Sequence, residues 1–195
     1  MKAIRAIMVA GALALPAAVS AQPVDGRTAR ALVYDPSGVE VTIIRLDFLT
    51  EQDDLRALDF AARQQPYYAA IAVAPGEGLM SNATVAAANY HDVGSARQAA
   101  LKSCDSRRQG GARCVIAAEV RPLGWEPRRL SLSADATLGL RQRYLRGGRG
   151  EKAMAISPST GIWSVAKGGG AAREALDGCA RQSGAVDCEL AVADR

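Results

Sequence analysis

Short apolar runs that end in a Pro/Gly turn occur twice along the chain. Residues 70–78 read AIAVAPGEG, and residues 153–161 read AMAISPSTG. An Ala-rich stretch with helical spacing follows each run and ends at Cys104 or Cys179. A second cysteine, Cys114 or Cys188, then precedes another apolar run. Short apolar runs bounded by turn residues favour strands, and apolar positions spaced by three or four favour helices. Each copy is therefore predicted to fold as β-turn-β-α-β.

The predicted boundaries follow this pattern. The elements are strands 68–73 and 79–88, helix 95–104 and strand 114–120 in copy one, and strands 153–157 and 162–166, helix 171–180 and strand 188–192 in copy two.

The residues before copy one predict a β-hairpin and a helix. Two β-rich runs, 30–34 and 39–44, flank the turn sequence DPSG, which is typical of a hairpin. The spacing Ala-x-x-x-x-Pro-x-Gly recurs here and leaves open a third, decayed copy without cysteines. Thr50 then precedes Glu51, Asp53 and Asp54, a pattern that predicts an N-cap with acids in the first helical turn.

A connector with no counterpart in copy two links the two copies. Its first part contains Pro and Gly and is predicted to be irregular. Ser133 and the apolar positions up to Leu145 favour a helix that Gly147 and Gly148 end. Alternating apolar residues over 130–136 leave a strand as the alternative.

These elements predict an α+β fold, with two β-turn-β-α-β repeat units plus an N-terminal β-hairpin and helix. The strands are expected to form an antiparallel-rich sheet with helices on one face. The predicted divisions are a signal peptide at 1–21, the N-terminal hairpin and helix at 22–66, copy one at 67–121, an Arg-rich connector at 122–152 and copy two at 153–195.

The first residues have the pattern of a secretory signal. Lys2 and Arg5 precede a short apolar run at 7–15, and the small residues around Ala21 predict cleavage before Gln22. A membrane anchor is the alternative, but the run is shorter than the roughly 20 residues of a spanning helix. The sequence therefore predicts a bacterial protein in the periplasm or outside the cell, with no stable membrane span after cleavage.

Four cysteines in an exported chain predict two disulfides. Four cysteines allow three connectivities, and the repeat favours Cys104–Cys114 and Cys179–Cys188. The spacings match neither the C-x-x-C pairs of zinc sites nor those of redox-active disulfides. No metal and no cofactor are therefore expected.

At these residues the chain resembles the secreted bacterial family called domain of unknown function 4189. Its hallmark is similar to A-x-A-x-S-P-x-T-G-x-W-G, followed by an Ala-rich helix ending L-x-x-C and then C-x-V. Copy two matches at Ala153, Ala155, Ser157, Pro158, Thr160, Gly161, Trp163, Leu176, Cys179, Cys188 and Leu190, and departs at Ser164. Copy one matches at Ala70, Ala72, Pro75, Gly78, Leu101, Cys104, Cys114 and Ile116, and has Met80 in place of Trp. The resemblance implies export and a cysteine-stapled module, and it brings no catalytic residues.

Residue types that carry catalysis are sparse. The single histidine, His91, stands in a polar link and is predicted to lie on the surface, with no nucleophile motif to form a triad. Glu77 and Glu119 are the carboxylates on which an alternative function, a periplasmic hydrolase of cell-envelope substrates, would depend. No catalytic residue is predicted.

The charge distribution supplies the leading hypothesis. Residues 107–149 contain ten arginines, three acids and no lysine. Arginine offers a planar fork to phosphate and carboxylate groups. We therefore predict a non-catalytic, disulfide-stapled binding or inhibitory module that contacts an anionic envelope polymer or an acidic protein surface. The predicted contact residues are Arg121, Arg128, Arg129, Arg141, Arg143 and Arg146.

Overall fold

The computed structural model describes residues 22–195, so the predicted signal peptide lies outside the described residues. The chain folds as a mixture of helices and antiparallel strands, which confirms the α+β class. The elements are α1 (Gly26–Leu32), β1 (Val39–Ile43), α2 (Gln52–Arg63), β2 (Ala69–Val73), β3 (Val85–Ala87), α3 (Val93–Asp105), β4 (Val115–Pro122), α4 (Ala134–Gly139), a π-helix (Leu140–Tyr144), β5 (Lys152–Ile156), β6 (Trp163–Lys167), α5 (Ala171–Ser183) and β7 (Glu189–Asp194).

The strands form two sheets rather than the single sheet expected. One has the order β1-β4-β2-β3 and the other β6-β5-β7, and all neighbouring strands are antiparallel. In both sheets the first strand of a β-β-α-β unit lies between the second and the last. The register shifts at matching places, between Ile71 and Ala72 and between Met154 and Ala155. We call these unit one (67–122) and unit two (152–194).

Helices cover both faces of the four-stranded sheet, and the expectation of helices on one face is wrong. Ala70 and Ala72 pack beneath α3, whereas Ile71 and Val73 pack with Leu58 of α2 on the other face. Because β2 is buried on both faces, its sequence is apolar throughout and lacks the alternation that would identify a single core face.

Unit two is covered in the same way. Ala153 and Ala155 pack beneath α5, while Met154 packs with Leu140 and Tyr144 of the π-helix on the opposite face. The alanines on the helix-facing side of each central strand leave room for a close helix.

The prediction of an N-terminal hairpin is wrong for its first strand. Residues 30–34 lie at the end of α1 and beyond it, not in a strand, so of the two predicted hairpin strands only β1 forms. Asp25 caps α1 by accepting a hydrogen bond from the Thr28 amide at 2.9 Å. The α2 helix forms as predicted, but Glu51 rather than Thr50 occupies its N-cap position.

The connector contains the predicted helix rather than the strand. The Ser133 hydroxyl accepts a hydrogen bond from the Ala136 amide at 3.1 Å and caps α4. The Trp163 ring lies so close to Gly139 that a Cβ there would come within 2.3 Å of it. This contact requires glycine at the junction between α4 and the π-helix.

Both predicted disulfides form, Cys104–Cys114 and Cys179–Cys188. Each one joins the last part of the helix of a unit to the residues just before its last strand. Two disulfides indicate an oxidising, extracytoplasmic location. Among the described residues, no helix combines the length and the apolar character needed to cross a bilayer.

Candidate functional site

His91 is buried where unit one, the connector and unit two meet. Its side chain is 2% exposed. Nδ1 accepts a hydrogen bond from the Ser133 amide at 3.1 Å, and Nε2 lies 3.2 Å from the carbonyl oxygen of Ile162, to which it donates. The predicted surface position is wrong because both ring nitrogens have backbone partners in segments distant in sequence.

Burial lowers the pKa of His91 to about 4, against the smaller opposing effects of the Ile162 carbonyl and of Asp92 and Asp187. The ring is therefore neutral at pH 7. Since one nitrogen accepts and the other donates within the protein, neither is free to take a proton from a substrate.

Ser157 is fully buried in the turn between β5 and β6. Its hydroxyl donates to Asp187 at 2.6 Å and accepts from the Thr160 hydroxyl at 2.8 Å. Asp187 also accepts the Ser159 amide at 2.7 Å. Burial raises the pKa of Asp187, but the hydrogen bonds from Ser157 and Ser159 outweigh it and hold the pKa below its usual value.

No sequence pattern singled out Asp187, although an acid in unit one makes a comparable contact. It belongs to the disulfide loop of unit two and binds the turn after β5. In unit one the acid belongs to the turn and not to the disulfide loop. Glu77 of the turn after β2 accepts a hydrogen bond from the amide of Gln109 in the disulfide loop at 2.9 Å. In both units a carboxylate thus joins the turn to the disulfide loop.

The turn of unit two also packs directly against the backbone of unit one. A Cβ at Gly161 would lie 2.4 Å from the Asn89 carbonyl oxygen. The Asn89 side chain donates to Asp135 at 2.8 Å and accepts the Asp135 amide at 3.1 Å. We call this contact region the seam, defined by Asn89, His91, Ser133, Ser157 and Gly161.

The two carboxylates of the alternative function have internal partners. Glu119 is buried on β4, with Arg97 2.6 Å from one carboxylate oxygen and Arg121 2.8 Å from the other. Glu77 accepts the Ser81 hydroxyl at 2.8 Å in addition to the Gln109 amide. Each carboxylate is therefore held by its own set of protein donors.

The structure distributes the six predicted contact arginines over four places. Arg128 and Arg141 lie around Tyr34, which follows α1. The Arg128 guanidinium stacks 3.9 Å from the centre of the Tyr34 ring and donates to the Leu32 carbonyl at 2.8 Å. Arg141 donates to the Tyr34 carbonyl at 3.1 Å. These two arginines attach the connector to the N-terminal segment.

Arg121 and Arg129 lie elsewhere. Arg121 pairs with Glu119 and stacks 4.7 Å from the centre of the Trp125 ring. Arg129 is exposed and lines a hollow of about 170 Å³ at the seam, together with His91 and Glu189.

Arg143 and Arg146 are exposed beside strand β6. The Arg143 guanidinium lies 5.3 Å from the centre of the Trp163 ring at one end of the strand. At the other end Lys167 donates to the carbonyl of Arg146. Arg143 and Lys167 therefore lie at opposite ends of β6, and the backbone of Arg146 lies beside Lys167.

Two larger hollows lie beside the helices of the two units, and the charged residues that line them are Glu151, Lys152, Asp194 and Arg195 in one and Lys102 in the other. One of about 840 Å³ lies beside α5 and β7, where Lys152 and Asp194 are already 3.6 Å apart as an ion pair. Another of about 490 Å³ lies beside α3 and is lined by Tyr90, Lys102 and Ser159. Across residues 22–195, no group of three or more His, Cys, Asp or Glu side chains could hold a metal ion.

In comparisons with known proteins, no protein-family model, curated protein or solved structure matches this chain.

Proposed function

We propose that the chain is an exported, disulfide-stapled binding or inhibitory module that acts without catalysis in the periplasm or outside a bacterial cell. The observation that carries this proposal is that the polar side chains with catalytic potential are buried and bonded within the protein. His91 gives both ring nitrogens to backbone partners, and Ser157 and Glu119 are buried in internal hydrogen bonds. A general acid, base or nucleophile must reach the substrate, whereas these three side chains are buried and already hydrogen-bonded or ion-paired within the protein.

The surface supports binding through positive charge. Arg129, Arg143 and Arg146 are exposed, and within residues 22–195 none of them forms an ion pair. Guanidinium groups with free donors suit phosphate and carboxylate partners. The partner is accordingly an anionic envelope polymer or an acidic protein surface, and we assign the contact to these three arginines rather than to the six as one patch.

Membership of the family called domain of unknown function 4189 is part of the same proposal. The sequence motif of copy two and the secretory signal support it, as do the two disulfides. Mass spectrometry of the protein purified from its native culture tests export: an N-terminus at Gln22 is expected, and an intact Met1 in a cytoplasmic fraction would contradict it.

Crosslinking capture tests the binding role. The oxidised protein is crosslinked in envelope extract at low and at high salt, and captured material is identified by mass spectrometry. Reversing Arg143 and Arg146 to Glu should abolish most of the capture at low salt, where attraction between exposed charges is screened least. Arg56→Glu on α2 is the matched control. Capture that is the same for both variants would remove the proposed surface.

A panel of cell-wall and ester substrates tests the alternative hydrolase. We expect no turnover above background. Turnover that Glu77→Gln or Glu119→Gln abolishes would overturn the non-catalytic assignment.

A further inference from the structure

Strand β6 forms an edge of the three-stranded sheet. Only β5 pairs with it among the described residues. The bond from the Ser157 amide to the Ile162 carbonyl, and that from the Gly168 amide to the Glu151 carbonyl, fix which residues face β5. In an antiparallel pair every second residue bonds to the neighbouring strand, so Ser164 and Ala166 face β5. The N–H and C=O groups of Trp163, Val165 and Lys167 point outward.

Positive side chains flank this outward row on both faces. On the face of the π-helix, Arg143 lies beside Trp163 at one end and Lys167 lies at the other. On the face of α5, Gly178 packs against the Ser164 hydroxyl, and the guanidinium of Arg181 reaches the same place. All three cations are exposed.

The other sheet edges lack this combination. Val24 bonds to the outer side of β7 through the Ala191 carbonyl and the Ala193 amide. Strand β3 has only three residues. Strand β1 has a comparable free edge, but its own charged side chain is Glu40, and the nearby α2 arginines are paired with aspartates.

We infer that the outer edge of β6 binds an extended, acidic segment of a partner protein as an additional strand of the sheet. Main-chain hydrogen bonds to Trp163, Val165 and Lys167 hold the segment, in the mode known as strand addition. Its acidic side chains alternate between the two faces and meet Arg143 and Lys167 on one face and Arg181 on the other. This inference rests on the proposed binding function and specifies its partner class.

A short synthetic peptide in which pairs of adjacent Glu residues are separated by single Val residues, blocked at both ends, is the probe, because neighbouring residues of a strand point to opposite faces. Titration of the purified, oxidised protein should give saturable binding, measured by calorimetry and by amide NMR. The amide protons of Trp163, Val165 and Lys167 should shift and become protected from exchange. The inward amides of Ser164 and Ala166 should not gain protection, nor should the outward amides of β1.

Matched probes separate strand addition from charge attraction. A peptide N-methylated at alternate residues keeps its charge but loses its donors, and affinity should fall about tenfold for two lost hydrogen bonds. Replacing Glu by Lys in the peptide should abolish binding. Charge reversal in the protein, Arg143→Glu with Lys167→Glu, should weaken binding at least tenfold, whereas Arg56→Glu should leave it unchanged.

A protein variant tests the same edge from the other side. Val165→Pro removes one outward N–H, and proline is tolerated on edge strands whose N–H faces solvent. It should weaken binding at least fivefold with the fold kept, as judged by circular dichroism.

Two results would overturn the inference. The first is binding that N-methylation and Val165→Pro leave unchanged, which would make the contact one of charge alone. The second is no peptide binding together with self-association of the Lys167→Ala variant, which would mean that the cations protect the edge from pairing. The proposed function fails by a different result, namely capture that is insensitive to the exposed arginines.

Discussion

At the scale of single residues, His91 shows how a reactive side chain can serve the fold alone. Its imidazole accepts the hydrogen bond of the Ser133 amide and adds a second donor to the Ile162 carbonyl, which also accepts the Ser157 amide. The histidine must stay neutral to accept the Ser133 amide, so its contribution depends on pH.

Stability should fall as the pH falls from about 6.5 to about 4. The ordinary pKa of histidine is 6.5 and burial lowers that of His91 to about 4, so in this range the unfolded chain binds a proton that the folded chain does not. The lowered pKa corresponds to about 3 kcal/mol of unfolding free energy, lost progressively across the window. Urea unfolding at a series of pH values measures it.

His91→Gln supplies the control for this prediction. The variant should be less stable at pH 7, and the difference from the parent should shrink towards pH 4. Carboxylates that lose their charge in acid do so in both proteins and cancel. An equal slope in both proteins would contradict the assignment.

Glycine at position 161 is required by a contact and not only by its backbone angle. Gly161 and Gly78 occupy the same place in the two units and have φ angles of 75° and 79°. A Cβ at Gly161 would meet the Asn89 carbonyl, but a Cβ at Gly78 would meet nothing within 4 Å. Both Ala variants carry the left-handed strain of about 1–2 kcal/mol.

Gly161→Ala should therefore cost about 1–3 kcal/mol more than Gly78→Ala, a typical penalty for overpacking. Chemical denaturation of both variants gives the comparison. Equal losses would mean that the two units do not touch through this turn in solution.

At the scale of elements, each disulfide closes a short loop at the end of a helix. Replacing Cys179 and Cys188 together by Ser should cost about 2–3 kcal/mol, because the loop no longer restricts the unfolded chain. Thermal unfolding of this variant, and of the Cys104/Cys114 counterpart, measures the loss. Unfolding temperatures that stay unchanged in both variants would show that the loops contribute nothing.

Local signals were sufficient for most elements. The β-β-α-β order of both units and the cysteine pairs could be predicted, since turn residues and helical spacing mark them in the sequence. The Ser133 cap likewise placed α4. The predicted strand at 30–34 was wrong because so short an apolar run is compatible with either a strand or the end of a helix. The Asp25 cap favours the helix α1.

Contacts between distant segments were beyond the sequence pattern. Nothing local shows that His91 is buried, because its partners lie 42 and 71 residues further along the chain. The same holds for the arginine-rich connector. The sequence shows its many arginines, but the contacts of Arg128 and Arg141 with Tyr34 depend on the tertiary fold.

At the scale of the whole molecule, the polar groups divide into two sets. The seam holds the two units together through the single histidine and the Gly161 turn, and Ser157 secures that turn within unit two. The exposed arginines beside β6 remain for a partner. This division is the central claim, and it predicts that changes to one set leave the role of the other intact.

The most direct measurement compares two variants in the same capture assay, with unfolding measured in parallel. Ser157→Ala should lower stability by about 1–3 kcal/mol, since it removes the hydroxyl that donates to the partly buried Asp187 carboxylate, and should still capture the partner at temperatures where it is folded. Arg143→Glu with Lys167→Glu should keep most of the stability and lose the partner. Loss of capture by folded Ser157→Ala, with capture by the charge-reversed protein intact, would contradict the account.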